Sequence, residues 1–186
     1  MKLKDLPNLI SILRLIAVVP VGYLLLAGQY GAALVLFALA GLSDGLDGFL
    51  AKRFGWQSRL GGILDPLADK ALLITCFLVL GWQGLVPFWL VVAVILRDLV
   101  IVSGALIYHW GIEAIEASPT LASKFNTALQ LILLVMVITH AGGWPLAQGL
   151  ITATSWLTLL AVVTSGAQYV WIWGHKARAR GWRRRG

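Results

Sequence analysis

The chain has 186 residues, of which 59% are hydrophobic and 12% are charged. Soluble domains average about 45–50% apolar and about 25% charged residues, and here the apolar excess extends along the whole chain. This composition excludes an ordinary soluble domain and predicts an all-α polytopic membrane protein, in which residues 1–186 form one domain. The net charge of +7 comes from basic residues at the ends of apolar runs, which favours anionic lipid headgroups over nucleic acid as the partner.

Six membrane-spanning helices are predicted from the apolar runs, each near the ~20 residues that a bilayer crossing needs. Gly, Pro or charged residues separate them, as is usual at helix ends. We expect Pro66 to kink the third span rather than to begin it, and Pro20 to bend the first. The approximate bounds of the spans are 8–27, 31–53, 61–80, 86–109, 121–140 and 147–173.

The basic residues predict the orientation of these spans. Lys and Arg lie on the side of the N-terminus and of the tail 174–186, whereas the turns near 28–30, 81–85 and 141–146 contain none. The positive-inside rule therefore places both termini in the cytoplasm. The segment "LKDLPN" is predicted to lie at the membrane interface. Because no Arg- and Ser-rich transit peptide precedes it, the expected location is the bacterial cytoplasmic (inner) membrane.

Half of the eight acidic residues lie in the short stretch "SDGLDGFLAKRFGWQSRLGGILDPLADK", as Asp44, Asp47, Asp65 and Asp69. Spacings of three and four place each pair on one helix face. A short turn joins the second and third spans, so we expect all four carboxylates to converge at one membrane depth. Oxygen ligands without His or Cys select hard cations such as Mg²⁺, Mn²⁺ or Ca²⁺, and four carboxylates can hold two ions for phosphoryl chemistry. A structural ion-pair network is the alternative, which the usual functional role of intramembrane charges disfavours.

Small and basic residues surround the acids. Small residues let helices approach closely and leave space for a ligand against the backbone. Lys52, Arg53 and Arg59 are placed to neutralise phosphates, with a role as topology anchors equally open for the two arginines. The small residues are Gly45, Gly48, Ala51, Gly61 and Gly62.

The stretch "DGLDGFLAKRFGWQSRLGGILDPLAD" resembles the signature of the CDP-alcohol phosphotransferase family. That signature has Asp, two residues, Asp-Gly, two residues and Ala-Arg, and then, after a connecting turn, Gly, three residues, Asp, three residues and Asp. Lys52 stands where the family usually has Arg, which keeps the charge but loses the bidentate fork, and Arg53 is placed to compensate. The matching positions are Asp44, Asp47, Gly48, Ala51, Gly61, Asp65 and Asp69.

The resemblance implies the CDP-alcohol phosphotransferase fold, a homodimer and two divalent ions, Mg²⁺ or Mn²⁺, in a site open to the cytoplasm. It implies displacement of CMP from a CDP-linked substrate by an alcohol. Asp69 would also act as the general base. The implied metal ligands are Asp44, Asp47, Asp65 and Asp69. The implied CDP-binding residues are Asp47, Gly48, Ala51, Lys52 and Gly61.

The stretch "SPTLASKFNTALQLIL" is most similar to the eukaryotic-type cardiolipin synthase branch of that family. This branch implies formation of cardiolipin and CMP from CDP-diacylglycerol and phosphatidylglycerol. The alternative is the phosphatidylglycerophosphate synthase branch, whose acceptor is glycerol 3-phosphate. The acceptor-binding candidates are Arg97, Lys124 and Arg59. Structural pairing of Arg97 and Asp98 with another helix is equally open, and a membrane-anchoring role is open for Lys124.

Several residues have weaker support or no expected role in the site. Asn8 and Arg14 are within reach of the predicted cavity, with less support than the acids. His109, His140, His175 and Cys76 lack ligand spacing and are interpreted as structural. A small ion or proton transporter is the alternative from another class, but it predicts acids at several membrane depths and a repeat between halves, and neither is visible.

Overall fold

The computed structural model describes the backbone of residues 6–54, 61–111 and 120–183, and these ranges are all-helical, with no strand. Each of the six predicted spans is confirmed as a helix. The helices are α1 (Leu6–Leu26), α2 (Tyr30–Phe54), α3 (Gly61–Trp82), α4 (Phe88–Gly111), α5 (Leu121–Ala141) and α6 (Gln148–Arg183).

Three of these helices contain a described stretch that is long and apolar enough to cross a membrane: Asn8–Leu26, Leu121–Ala141 and Gln148–Ile172. The described part of helix α2 includes a shorter apolar stretch, Tyr30–Ser43. The chain is therefore a membrane protein by length and composition of its helices.

Helix α6 continues well past residue 173, where the sixth span was predicted to end. It has 36 residues and reaches Arg183, which corresponds to about 54 Å at ~1.5 Å per residue. The hydrocarbon core of a bilayer is only ~30 Å thick. The basic tail up to residue 183 is thus a helical continuation of the last span rather than a separate segment.

Three prolines lie within helices, one of them in a first turn and two in helix interiors. Pro7 is in the first turn of α1, where its missing N–H has no intrahelical partner. Pro20 and Pro66 are inside α1 and α3, which confirms that the third span begins before Pro66. Residues 1–5 of the predicted interfacial segment lie outside the described residues.

The first of two compact units contains Met1–Val86 and Leu134–Ala147, and in it α1 packs against both α2 and α3. Helices α1 and α3 run parallel: Ser11 contacts Asp65, Arg14 contacts Asp69, and Gly22 lies against Thr75. The residue numbers in these contacts differ by 54, 55 and 53, so the register is nearly constant. The N-terminal ends of α1 and α3 therefore lie on the same side.

The opposite end of this unit is closed by glycine turns and one glutamine. Gly28, Gly84 and Gly143 have φ values of 71°, 73° and 93°, the left-handed conformation that ends helices at low cost. Gln83 donates from Nε2 to the Leu25 carbonyl at 2.8 Å, which satisfies an acceptor at the end of α1. These turns coincide with the predicted outer turns that contain no Lys or Arg.

Replacement of Gly22 by leucine is expected to weaken the α1–α3 contact. A Cβ at Gly22 would lie 3.0 Å from Thr75 Cγ2, so a larger side chain must separate the helices, and overpacking of this kind costs about 1–3 kcal/mol. The measurement is the thermal unfolding midpoint in detergent. Gly41→Leu is the matched control, because nothing lies within 4 Å of a Cβ at that helical glycine. Equal midpoints for the two variants would contradict the close packing.

The second unit contains Pro87–Leu133 and Gln148–Gly186, and in it α4 packs against α6. Trp89 and Trp156 stack near one end of this pair, with ring centroids 4.9 Å apart. Gly166 brings α6 close to α4, because a Cβ there would lie 3.5 Å from Arg97 Cγ. A buried arginine thus lies at the α4–α6 contact.

Candidate active site

Helix α3 carries two of the four motif aspartates, Asp65 and Asp69, in its first three turns. Their spacing of one turn places both carboxylates on one helix face, as the sequence predicted. Both residues are half-buried. The apolar residues that follow, including Leu72, Cys76 and Leu80, are buried and anchor α3 in the unit. The acid pair is therefore held at one end of a packed helix.

Helix α1 supplies a polar partner to each of these acids. The Ser11 hydroxyl donates to Asp65 Oδ1, and Arg14 Nη1 donates to Asp69 Oδ1 at 2.6 Å. The Arg14 side chain is fully buried, whereas that of Asp69 is 40% exposed. A guanidinium bonded to a carboxylate fixes the orientation of that carboxylate.

The contact with Asp69 places Arg14 at the candidate site, although sequence analysis offered little support for a role of this residue. Asn8, Ser11 and Arg14 are spaced by three residues on a helix that is otherwise apolar, so they share one face. That polar periodicity was the available signal. The periodicity did not indicate which helix this polar face would contact. The structure shows that the face contacts α3.

The other half of the predicted site lies mostly outside the described residues. The side chains of Asp44, Asp47, Ala51 and Lys52, together with the surroundings of Gly48 and Gly61, lie outside the described part of the chain, as does all of Arg59. Convergence of the four carboxylates therefore stays a prediction. Among the residues whose side chains are described, no group of three His, Cys, Asp or Glu is close enough to hold a metal. The described donors, two carboxylates without His or Cys, are those that hard cations prefer.

Arg97 and Asp98 form a buried polar cluster in the second unit. Arg97 Nη1 donates to Asp98 Oδ1 at 2.7 Å, and Nη2 donates to Ser123 on α5 at 2.8 Å and to Ser165 on α6 at 2.7 Å. Arg97 and Asp98 are only 6% and 7% exposed. The structural pairing that the sequence left open for Arg97 is therefore present. The acceptor-binding role stays a prediction.

Lys124 lies in the first turn of α5 with an exposed side chain. Thr120 caps this helix, since its hydroxyl accepts a hydrogen bond from the Ser123 N–H at 3.2 Å. The cap fixes the start of α5 and thus the position of Lys124. An exposed ammonium here is compatible both with a ligand phosphate and with a headgroup anchor.

Two buried amides on α5 were not among the predicted site residues. Asn126 is 0% exposed and Gln130 is 2% exposed, and they lie one turn apart. Asn126 Oδ1 and Nδ2 and Gln130 Nε2 have no hydrogen-bond partner among the described residues. The sequence signal was the polar pair itself, at spacing four in an apolar span. Only burial distinguishes it from an interfacial pair.

Comparison with known proteins connects this arrangement to a family. The model of the CDP-alcohol phosphatidyltransferase family matches residues 4–167, which include the acid pair, Arg14 and the Arg97 cluster. The chain belongs to the CDP-alcohol phosphatidyltransferase family. The family that the motif resembled is thus confirmed.

The relatives to which this chain is similar are named for two different activities. The chain is 37% identical to a cardiolipin synthase (CMP-forming) of Rattus norvegicus over 69% of its own length and 48% of that protein. It is 35% identical to the Homo sapiens cardiolipin synthase (CMP-forming), with the same coverage. It is 34% identical to a chloroplastic CDP-diacylglycerol–glycerol-3-phosphate 3-phosphatidyltransferase of Oryza sativa, over 89% of this chain and 56% of that protein. The chain spans about half the length of these curated relatives.

Proposed function

We propose that this protein is a cardiolipin synthase that transfers the phosphatidyl group of CDP-diacylglycerol to phosphatidylglycerol and releases CMP. The observation that carries the chemistry is the acid pair of α3, one turn apart, with Arg14 on Asp69. The similarity to the rat and human cardiolipin synthases supports the choice of acceptor. We further propose that the protein is a homodimer.

In the proposed reaction, a hydroxyl of the acceptor glycerol attacks the phosphorus that carries the diacylglycerol. The new P–O bond forms as the P–O bond to CMP breaks, and CMP leaves with the bridging oxygen. Asp69 takes the proton of the attacking hydroxyl, a role that requires hydrogen-bond reach to that oxygen. Arg14 orients this carboxylate through Oδ1, and Ser11 does the same for Asp65.

We propose that Asp65 and Asp69, together with Asp44 and Asp47, hold two ions of Mg²⁺ or Mn²⁺. When bound, such ions would neutralise the diphosphate and stabilise the leaving CMP. The oxygen-only donors on α3 fit these ions. Asp47, with the four CDP-pocket residues Gly48, Ala51, Lys52 and Gly61, is proposed to bind the CDP moiety.

Phosphatidylglycerophosphate synthesis is the second candidate function. The rice relative, whose name gives glycerol 3-phosphate as the acceptor, is matched over 89% of this chain, a larger share than for the rat and human proteins. The chemistry at the aspartates would be the same. Arg97, Lys124 and Arg59 would then bind a phosphomonoester, and the acceptor would enter from water rather than from lipid.

The acceptor is identified by offering phosphatidylglycerol and glycerol 3-phosphate separately to the purified protein with Mg²⁺ or Mn²⁺ and CDP-diacylglycerol. We expect cardiolipin and CMP from phosphatidylglycerol alone, measured by lipid mass spectrometry and CMP release. Phosphatidylglycerophosphate from glycerol 3-phosphate alone would establish the second candidate. Absence of divalent-dependent CMP release with either acceptor would exclude both and reopen the ion or proton transporter.

The membrane in which the protein lies and its orientation there are also proposed, and both proposals rest on the distribution of basic residues. The distribution of Lys and Arg supports both termini and the site on the cytoplasmic side of a bacterial inner membrane. The rat, human and rice relatives are eukaryotic proteins and do not favour a bacterial membrane over an organellar one.

A further inference from the structure

Each acid of α3 bonds a buried donor of α1 through one of its two carboxylate oxygens. Ser11 donates its hydroxyl to Asp65 Oδ1, and Arg14 donates from Nη1 to Asp69 Oδ1 at 2.6 Å. The side chain of Arg14 is 0% exposed, and Ser11 is 1% exposed. Both contacts lie within the first unit. One oxygen of each carboxylate is therefore bonded to a donor in the interior of that unit.

The packing of α1 on α3 keeps these donors in place. The two helices run parallel at a nearly constant register from the Ser11–Asp65 contact to the approach of Gly22 to Thr75, about three turns further on. A Cβ at Gly22 would lie 3.0 Å from Thr75 Cγ2, so the helices are already in close contact. Close-packed interiors resist displacement. A bound ion therefore cannot move α1, with its two donors, away from the acids at low cost.

The bond from Arg14 limits how Asp69 can ligate a cation. Ligation through both carboxylate oxygens would place a divalent ion on the oxygen that already bonds the guanidinium, and the two positive charges would repel each other at short distance. Displacement of Arg14 would instead leave its buried charge without this carboxylate, which destabilises the fold. Ligation through one oxygen of Asp69 is therefore favoured. The Ser11 hydroxyl acts in the same way on Asp65, but more weakly because it is neutral.

The number of oxygens that a carboxylate supplies distinguishes Mg²⁺ and Mn²⁺ from Ca²⁺. Ca²⁺ binds about six to eight oxygens at ~2.3–2.6 Å and accepts carboxylates through both oxygens. Mg²⁺ requires near-ideal octahedral geometry at ~2.0–2.1 Å, and the two oxygens of one carboxylate are too close together for two corners of that octahedron. Mn²⁺ also favours octahedral oxygen sites. Carboxylates that each offer one oxygen therefore suit Mg²⁺ and Mn²⁺ and give Ca²⁺ too few ligands.

We propose that Ser11 and Arg14 select Mg²⁺ and Mn²⁺ against Ca²⁺ by restricting Asp65 and Asp69 to ligation through one oxygen each. The inference rests on the proposed function, to which the metal site belongs, and adds the residues that determine which ion is bound. Ser11 and Arg14 are positioning residues, because they act through the carboxylates. Replacement of groups that hydrogen-bond to metal ligands typically changes metal affinity by about 10–100-fold.

The test measures ion binding in the absence of acceptor, so that no turnover is needed. Purified protein in detergent binds Mn²⁺, the free ion is followed by electron paramagnetic resonance, and Mg²⁺ or Ca²⁺ is added as competitor. We expect the wild-type protein to bind Mg²⁺ about tenfold more tightly than Ca²⁺. This ratio should fall in Ser11→Ala and reach about one in Arg14→Met. Because Mg²⁺ and Ca²⁺ have the same charge, loss of the Arg14 charge by itself changes both affinities alike and leaves the ratio unaltered.

Matched variants control for the loss of a hydroxyl and of a positive charge. Ser43→Ala removes a hydroxyl that bonds the Ala40 carbonyl of its own helix at 2.7 Å, and Arg53→Met removes an exposed guanidinium. Both should keep the wild-type ratio. Arg14→Lys keeps a cation beside Asp69 and should retain most of the discrimination. If Arg14→Met does not fold, the comparison of Ser11→Ala with Ser43→Ala decides alone.

Two results would overturn the inference and leave the proposed function intact. The first is equal affinity of the wild-type protein for Mg²⁺ and Ca²⁺. The second is a Mg²⁺-to-Ca²⁺ ratio that is the same in Ser11→Ala and Arg14→Met as in the wild-type protein. Failure of the wild-type protein to bind Mn²⁺, both alone and with CDP-diacylglycerol in the micelle, would instead contradict the metal site of the proposed function, and the selectivity with it.

Discussion

Asp69→Asn is expected to lower the rate of CMP release by about 10²–10⁴-fold, the usual contribution of a general base. The variant keeps the shape of the side chain but can no longer accept the acceptor's proton, and it is a weaker ligand for a hard cation. The measurement is kcat with saturating CDP-diacylglycerol, acceptor and divalent metal. Full turnover of Asp69→Asn with metal bound would show that the base assignment is wrong.

The Asp69 experiment needs a control for lost stability and for lost charge. Asp69 pairs with Arg14, so the variant also loses part of an ion pair. Because the Asp69 side chain is 40% exposed, the loss of stability should be well below the ~3–5 kcal/mol of a fully buried pair. Glu116→Gln removes one negative charge outside the motif and should keep the wild-type rate. A similar rate for both variants would contradict the special role of Asp69.

Arg97→Met is expected to lower the free energy of unfolding by about 3–5 kcal/mol, because it leaves the buried Asp98 without this guanidinium. The side chains of Arg97 and Asp98 are 4% and 9% exposed, so solvent screens their interaction little. Ser123 and Ser165 also lose their donor. The measurement is thermal or denaturant unfolding in detergent. The double variant Arg97→Met with Asp98→Asn should recover part of the loss, because the buried charge is removed with its partner.

The same variants distinguish the two roles that were open for Arg97. If Arg97 only stabilises the second unit, the double variant should regain activity as it regains stability. If Arg97 binds the acceptor, stability should return while the acceptor KM stays raised. Arg53→Met is the matched control for stability, since that arginine is exposed and its replacement should leave the unfolding free energy unchanged. A loss in Arg97→Met no larger than in Arg53→Met would contradict the structural role.

The sequence by itself determined the features that depend on local chain properties. The length of the apolar runs predicted the six helices, and the glycine and proline turns predicted their ends at Gly28, Gly84 and Gly143. The spacing of Asp65 and Asp69 predicted that they share one helix face. These features follow from helix geometry and hydrophobicity within about 20 residues, so no contact with another helix is needed to derive them.

Only the tertiary structure decided which distant groups meet. The parallel register of α1 and α3 brings Arg14 to Asp69, a residue 55 positions away. Hydrogen bonds to Asp98 on α4, Ser123 on α5 and Ser165 on α6 give the Arg97 guanidinium partners that offset the cost of a charge within the membrane. The role of a polar side chain in an apolar helix depends on the residue that it contacts. That neighbour depends on the packing and register of whole helices, which are long-range properties that local patterns do not encode.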